Sequence, residues 1–272
     1  AVNKIITCYQ QINLSKASIK LVNEELKLRK NIYSPNTKSG NGNEVIFNKV
    51  QVKNLSFKYN NTDRFIFSNV NFEINRGSLT GFIGKSGSGK TTLIDCILGL
   101  LPSQEGQILF NGANINENLK KWQKNIGYVP QNIYLIDGSI KENIAIGIEK
   151  NEIDDGKIHH TLKLSNLVKF VSELPEGIET NVGEKGIKIS GGQKQRIGIA
   201  RALYNNPSIV VFDEATNALD RDTEETLLNF IYELKNKEGL TILMITHRID
   251  TLKKCDEIFK IENKKVSKIN EK

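Results

Sequence analysis

The sequence predicts an α/β fold: a parallel sheet covered by helices, with an antiparallel sheet ahead of it and a helical insertion within it. Three observations predict it. An apolar stretch ending at Phe82 and Ile83 runs into a glycine-rich segment, and Thr91 to Leu101 then reads as a helix. Ser208 to Phe212 is a short apolar run that ends in two adjacent carboxylates, Asp213 and Glu214. Leu240 to Ile245 is another such run, closed by Thr246 and His247. Unbroken apolar runs of this length suit strands buried on both faces, as in a parallel sheet.

The glycine-rich segment is Gly84-Lys85-Ser86-Gly87-Ser88-Gly89-Lys90-Thr91, followed by Thr92. Glycine lets the backbone turn tightly enough for several amide N–H groups to converge on a polyphosphate. The helix that follows adds the positive end of its dipole. At this spacing Lys90 would reach the β- and γ-phosphates, and the Thr91 hydroxyl would ligate Mg²⁺. The segment predicts a nucleotide-binding enzyme without saying which kind.

In a strand, successive side chains point to opposite faces, so Asp213 and Glu214 cannot share one task. Asp213 would hold Mg²⁺, directly or through water. Glu214 would orient or deprotonate the attacking water. Taken alone, the pair reads equally well as a solvated strand end; the phosphate-binding loop favours the chemical reading.

Ile189-Ser190-Gly191-Gly192-Gln193, continuing into Lys194-Gln195-Arg196, brings in a resemblance to the ATP-binding cassette family. Its chemistry is intelligible locally. Ser190, Gly191 and Gly192 would cap a helix starting near Gln193, presenting a hydroxyl and free N–H groups to an anion. The resemblance implies that this anion is the γ-phosphate of ATP held by a second subunit. It also implies roles for residues that fall in the family's order. Gln131, in Tyr128-Val129-Pro130-Gln131, resembles the glutamine that senses Mg²⁺ and the attacking water. Asp220, in Asn217-Ala218-Leu219-Asp220, resembles the acid of the loop that crosses to the partner, with Asn at the first position where Ser is commoner. His247, in Ile245-Thr246-His247-Arg248, resembles the switch histidine that contacts the γ-phosphate, and Tyr59 resembles the aromatic residue that stacks on adenine.

The implied fold is a RecA-like phosphate-loop NTPase core with an antiparallel β subdomain and an inserted helical subdomain. Residues 45–272 would form this ATPase domain, with the insertion at about 132–200. Val45 to Phe72 alternates apolar and polar residues, which suits an antiparallel sheet carrying Tyr59. Ser139-Ile140-Lys141-Glu142 fits a capping box at the start of a helix in the insertion. His159 and His160 have no nearby cysteine and read as surface residues. Residues 1–33 read as a helix, with Val2, Ile5, Ile6, Tyr9, Ile12, Ile19, Val22 and Leu26 near helical spacing. Residues 34–44, rich in Pro, Gly, Asn and Ser, read as a linker.

Composition narrows the function. A chain of 272 residues can bury one sizeable core with attached subdomains. Its three scattered cysteines, Cys8, Cys96 and Cys255, form neither a metal-binding spacing nor a disulfide framework, which suits a reducing compartment. The net charge of +7 sits at the ends. Residues 1–40 carry seven basic and two acidic residues (+5) and residues 260–272 five and two (+3), leaving −1 between them. A nucleic-acid enzyme would put positive charge on its working domain, so no nucleic-acid partner is expected. Basic ends suit the cytoplasmic surface of an anionic membrane, although a lysine-rich coding bias would look the same.

No stretch approaches the roughly 18 to 20 apolar residues that span a bilayer, and none reads as a secretory signal. The first helix resembles the cytoplasmic end of the last membrane helix of a fused exporter half, and Thr180 to Gly186, with Glu184, resembles an exporter loop that touches membrane domains. The chain begins at Ala1 and holds a single methionine, Met244, which suits a fragment of a longer polypeptide. A free-standing ATPase subunit is the other reading. The stretch Ile133 to Ser139, with Glu142 to Ile144, is similar to bacterial transporters that flip lipid-linked oligosaccharides.

The resemblance therefore implies an ATPase domain with ATP and Mg²⁺ as ligands. It would pair head-to-tail with a second such domain, most simply a second copy, and couple to transmembrane domains of the same full-length chain at the cytoplasmic face of the inner membrane. In each site Lys90 of one domain and Ser190, Gly191, Gly192, Gln193 and Asp220 of the other would hold the same ATP. The alternative is a soluble member acting on nucleic acid or the ribosome, which usually carries a long coiled coil or a second cassette; neither pattern is present in this sequence.

Overall fold

The computed structural model describes residues 2–4, 6, 11, 15–16, 18–23, 26, 47–60, 62–186, 189–216 and 221–269, the side chain of residue 185 excepted. They belong to two units, Ala1–Ile46 and Phe47–Lys272. In the first, the described residues within 2–26 are helical (α1), and Val2, Ile6, Ile19, Leu21, Val22 and Leu26 are exposed. The expected linker at 34–44 lies outside the described residues, as do Ile5, Tyr9 and Ile12.

The second unit carries two sheets. β1 (Lys49–Phe57), β2 (Phe67–Asn75), β4 (Glu105–Phe110) and β5 (Ala113–Asn114) form an antiparallel sheet in the order β2-β1-β4-β5. The larger sheet has the order β10-β9-β3-β8-β7-β6. It is built from β3 (Leu79–Ile83), β6 (Ile126–Val129), β7 (Ile209–Asp213), β8 (Thr241–Thr246), β9 (Glu257–Glu262) and β10 (Lys265–Ile269). All its pairs are parallel except β9 with β10, a hairpin at the edge.

Alternation along β7 and β8 divides the interior into two clusters. Ile209, Val211, Leu243 and Ile245 pack with Phe82, Leu93 and Ile94 and with the inner residues of the antiparallel sheet. Val210, Phe212, Ile242 and Met244 pack on the other side with Ile197, Leu203 and Ile231. Both faces are covered, which is why these strands read as unbroken apolar runs rather than alternating ones. A trio of rings joins the two sheets: Phe72 lies 5.4 Å from Phe82 and 5.2 Å from Phe259, centroid to centroid.

Helix α2 (Lys90–Ile97) is shorter than the sequence suggests. Leu98 caps it and Gly99, at φ 70°, turns the chain into the left-handed region, so the helix stops before Leu101. After the short α3 (Leu119–Lys124) and β6, residues 132–200 hold α4 (Ile140–Ile144), α5 (Asp155–Leu164), α6 (Val168–Ser172), 3₁₀ turns and most of α7 (Gly191–Leu203). The capping box at Ser139 is present: Glu142 N–H donates to Ser139 Oγ (3.1 Å) and Ser139 N–H to Glu142 Oε2 (2.7 Å). His159 and His160 are exposed on α5. Helix α8 (Arg221–Glu238) then leads into β8.

Candidate nucleotide-binding site

The phosphate-binding loop leaves the end of β3, which lies between β8 and β9 inside the sheet. Its path depends on glycine at two points. At Gly84 a Cβ would lie 2.5 Å from Ser88 Oγ and 2.6 Å from the Ile261 carbonyl oxygen, leaving no room for a side chain. Gly89, the N-cap of α2, takes φ 98°, a conformation L-residues rarely adopt. Lys90 opens the helix and is 6% exposed; its ammonium donates to the carbonyls of Gly84 (2.8 Å) and Lys85 (3.1 Å). The loop thus closes on its own cation. Ser88 Oγ is buried without a hydrogen-bond partner, an orphaned polar atom inside the loop. Thr91 is exposed, while the Thr92 hydroxyl lies 3.2 Å from that of Tyr59. Tyr59 is 45% exposed and stands edge-on to Phe57 at 5.1 Å.

The two carboxylates part company as alternation requires. Asp213 shares the face of Ile209 and Val211, towards α2, and is buried. Tyr128, on β6 opposite Val211, donates its hydroxyl to Asp213 Oδ2 at 3.0 Å. Burial holds the Asp213 carboxyl above its usual pKa, with the Tyr128 hydrogen bond pulling the other way. Burial and the Asp213 charge likewise push the Tyr128 phenol up, so it remains a donor.

Glu214 sits at φ 48°, with its N–H donating to the Ile245 carbonyl (2.9 Å). This left-handed turn takes its side chain off the strand and over the loop. There Glu214 Oε1 lies 3.7 Å from Lys90 Nζ and 3.9 Å from His247 Nδ1, and Oε2 accepts from Gln131 Nε2 at 3.3 Å. The loop, the end of β7, the residue after β8 and Gln131 therefore converge on one carboxylate. A cleft of about 990 Å³ opens beside them, lined by residues of the loop together with Gln131, Glu214, His247, the end of β9 and Asn263 of the turn that follows it.

Ser190, Gly191, Gly192 and Gln193 are placed elsewhere. Helix α7 begins at Gly191, two residues ahead of the expected start, with Ser190 as its N-cap. Gln193 N–H donates to Ser190 Oγ (3.3 Å) and Ser190 N–H to Gln193 Oε1 (3.0 Å). None of the four lines the 990 Å³ cleft. Gly192 borders a separate cavity of about 200 Å³ between α7 and α8. Glu184 is exposed in a 3₁₀ turn, and Asp220 lies outside the described residues.

Sequence reasoning missed two contributors. Tyr128 stands three residues before Gln131 in the sequence, and only the β6–β7 register brings it to Asp213. Lys260 and Glu262 at the end of β9, with Asn263 of the β9–β10 turn, line the cleft from more than 150 residues beyond the loop, because β9 pairs directly with β3. No local signal marks either.

The parallel sheet, the loop at the end of β3 and the carboxylates at the end of a strand two places away define a phosphate-loop NTPase domain. The family model described as ABC transporter matches residues 67–217, and the chain belongs to that family. It is 38% identical over 218 residues to the ATP-dependent lipid A-core flippase of Francisella novicida, covering 80% of this chain and 36% of that protein. It is 38% identical over 221 residues to a putative multidrug export ATP-binding/permease protein of Staphylococcus aureus, covering 81% and 38%. The chain thus spans little more than a third of the length of these relatives. A solved structure of a bacterial Atm1-family ABC exporter with ATP bound is similar, with a TM-score of 0.73 at 30% identity, covering 92% of this chain and 44% of that one.

Proposed function

We propose that this chain is the ATP-hydrolysing motor domain of an ABC exporter or flippase. The observation that carries the reading is the convergence of Lys90, Gln131 and His247 on Glu214 beside the loop. Lys90 would leave its two loop carbonyls for the β- and γ-phosphates of ATP, and Ser88 Oγ would gain the partner it lacks. Tyr59 would stack on the adenine. Glu214 would orient the attacking water and take its proton, with His247 and Gln131 holding water and γ-phosphate in line. The Thr91 hydroxyl, the Asp213 carboxylate and the Gln131 amide oxygen are hard oxygen donors, the set that suits Mg²⁺. Bound there, Mg²⁺ would neutralise charge developing on the phosphate oxygens.

Ser190, Gly191, Gly192 and Gln193 stand apart from the cleft with an open helix N-terminus, which supports a role at the γ-phosphate of a second copy, together with Asp220. Binding of two ATP molecules would then close a head-to-tail homodimer, and hydrolysis would release it. Residues 1–33 would continue a last membrane helix, 34–44 would link it to the ATPase domain at 45–272, and the inserted subdomain at about 132–200 would face transmembrane domains at the cytoplasmic face of the cell membrane. One relative's name, lipid A-core flippase, favours a lipid-linked saccharide or lipid as the cargo.

The test is phosphate release and equilibrium ATP binding by the 272-residue chain in Mg²⁺. Lys90→Ala should weaken ATP binding about 10- to 100-fold, the loss expected when a charged hydrogen-bond donor is removed. Unchanged affinity would remove the loop from its assigned role. For the transport assignment, the reading frame upstream of Ala1 should encode spanning helices; a start codon adjoining Ala1, with no membrane protein encoded beside it, would overturn it.

A further inference from the structure

Resting on the ATP-site reading above, we infer that Tyr128 is a positioning residue for the metal: its hydroxyl occupies Asp213 Oδ2 and so presents Oδ1 to the divalent cation that accompanies ATP.

Asp213 is 6% exposed and follows four apolar residues of β7. Its surroundings are unfavourable to an ordered anion. The carboxylates of Glu214, next in the chain, and of Asp95, on the facing helix α2, both act on it with like charge. A buried carboxylate in such company needs a donor to fix its orientation. Tyr128 supplies one at 3.0 Å. The register explains how. β6 and β7 are parallel with Tyr128 opposite Val211, so Asp213 lies two residues further on the same face, where the long phenol side chain reaches it. The Tyr128 ring packs into the same cluster as Phe110 and Ile126, which limits where the hydroxyl can go. Partners of metal ligands act in this way, orienting the ligand without touching the ion.

The experiment is equilibrium binding of ATP to the 272-residue chain, once with Mg²⁺ and once with EDTA, for wild type, Tyr128→Phe, Asp213→Asn and the double variant. Tyr128→Phe keeps the ring and removes only the O–H. ATP affinity in EDTA should be unchanged, while the gain in affinity produced by Mg²⁺ should fall about tenfold, the lower end of what losing such a partner costs. The double variant should lose no more than Asp213→Asn alone, because Tyr128 acts through Asp213. Three results would overturn the inference: a Mg²⁺-dependent gain within twofold of wild type, an equal loss with and without Mg²⁺, or additive losses in the double variant. A wild-type chain that binds no ATP in either condition would instead overturn the ATP-site reading on which the inference stands.

Discussion

Replacing Glu214 by glutamine changes one charge and almost no volume. The backbone that sets its position is unaffected, since the Glu214 N–H to Ile245 bond (2.9 Å) does not involve the side chain. An amide can keep an oxygen towards Lys90 and His247, but it then turns an NH₂ towards the Gln131 Nε2 that now donates to Oε2 at 3.3 Å. Gln131 answers by rotating its own amide. The larger change is at Lys90. With the carboxylate at 3.7 Å gone, an attraction of about 4 kcal/mol at an effective dielectric near 20 disappears, and in the folded protein most of it was already offset by desolvation. The ammonium is thereby released towards phosphate, so ATP affinity should hold or rise. Turnover should fall about 10²- to 10⁴-fold, the contribution of a positioned general base, which is roughly 3–5 kcal/mol of barrier. Phosphate release at saturating ATP and Mg²⁺, read beside calorimetric ATP affinity, separates the two effects. Turnover within tenfold of wild type would refute the role given to Glu214. Loss of turnover together with loss of affinity would refute the reasoning about Lys90.

Trp122→Phe should cost about 2–4 kcal/mol. It leaves the buried Ile97 carbonyl without the indole N–H that now donates to it at 2.7 Å and underfills a 2%-exposed site. The melting temperature followed by circular dichroism should drop about 5–15 °C, and a drop under 2 °C would count against it. Gly198→Ala should destabilise by about 1–3 kcal/mol, because the new methyl would lie 2.4 Å from Ile133 Cδ1 in a packed interior; Ile133→Val should restore part of the loss in urea unfolding, and no rescue would place the clash elsewhere. Hydrogen bonds from Ser139, first its backbone N–H, hold the Glu142 carboxyl below its usual pKa of 4.5. A depressed carboxylate adds stability that is present above 4.5 and lost as pH falls through the folded value. Glu142→Gln should therefore lower the urea midpoint at neutral pH and lose that effect in acid, and a deficit equal at both pH values would contradict the charge argument.

Much of the site was legible because its parts are local. The loop needs glycines and a lysine at fixed spacing, and the carboxylate strand announces itself as an apolar run with a charged end. What the sequence could not supply was lateral order. Nothing near Leu240 says that β8 lies between β3 and β7, yet that placement carries His247 to Glu214. The Tyr128 to Asp213 bond spans 85 residues of chain and depends on strand register alone. Helix ends shifted for local reasons: Gly99 closes α2 early, and the Ser190 side chain, by bonding back to Gln193, starts α7 sooner than the glycines suggested.

The left-handed turn at Glu214 also governs how variants at that position should be read. A backbone at φ 48° resists β-branched residues, whose crowded Cβ does not tolerate it, and accepts asparagine more readily. An inactive valine or threonine at this position would report a displaced strand end as much as a missing base. Glutamine and asparagine, which leave the turn in place, are the replacements that separate chemistry from conformation, and a screen that ranks all substitutions by activity alone would merge the two.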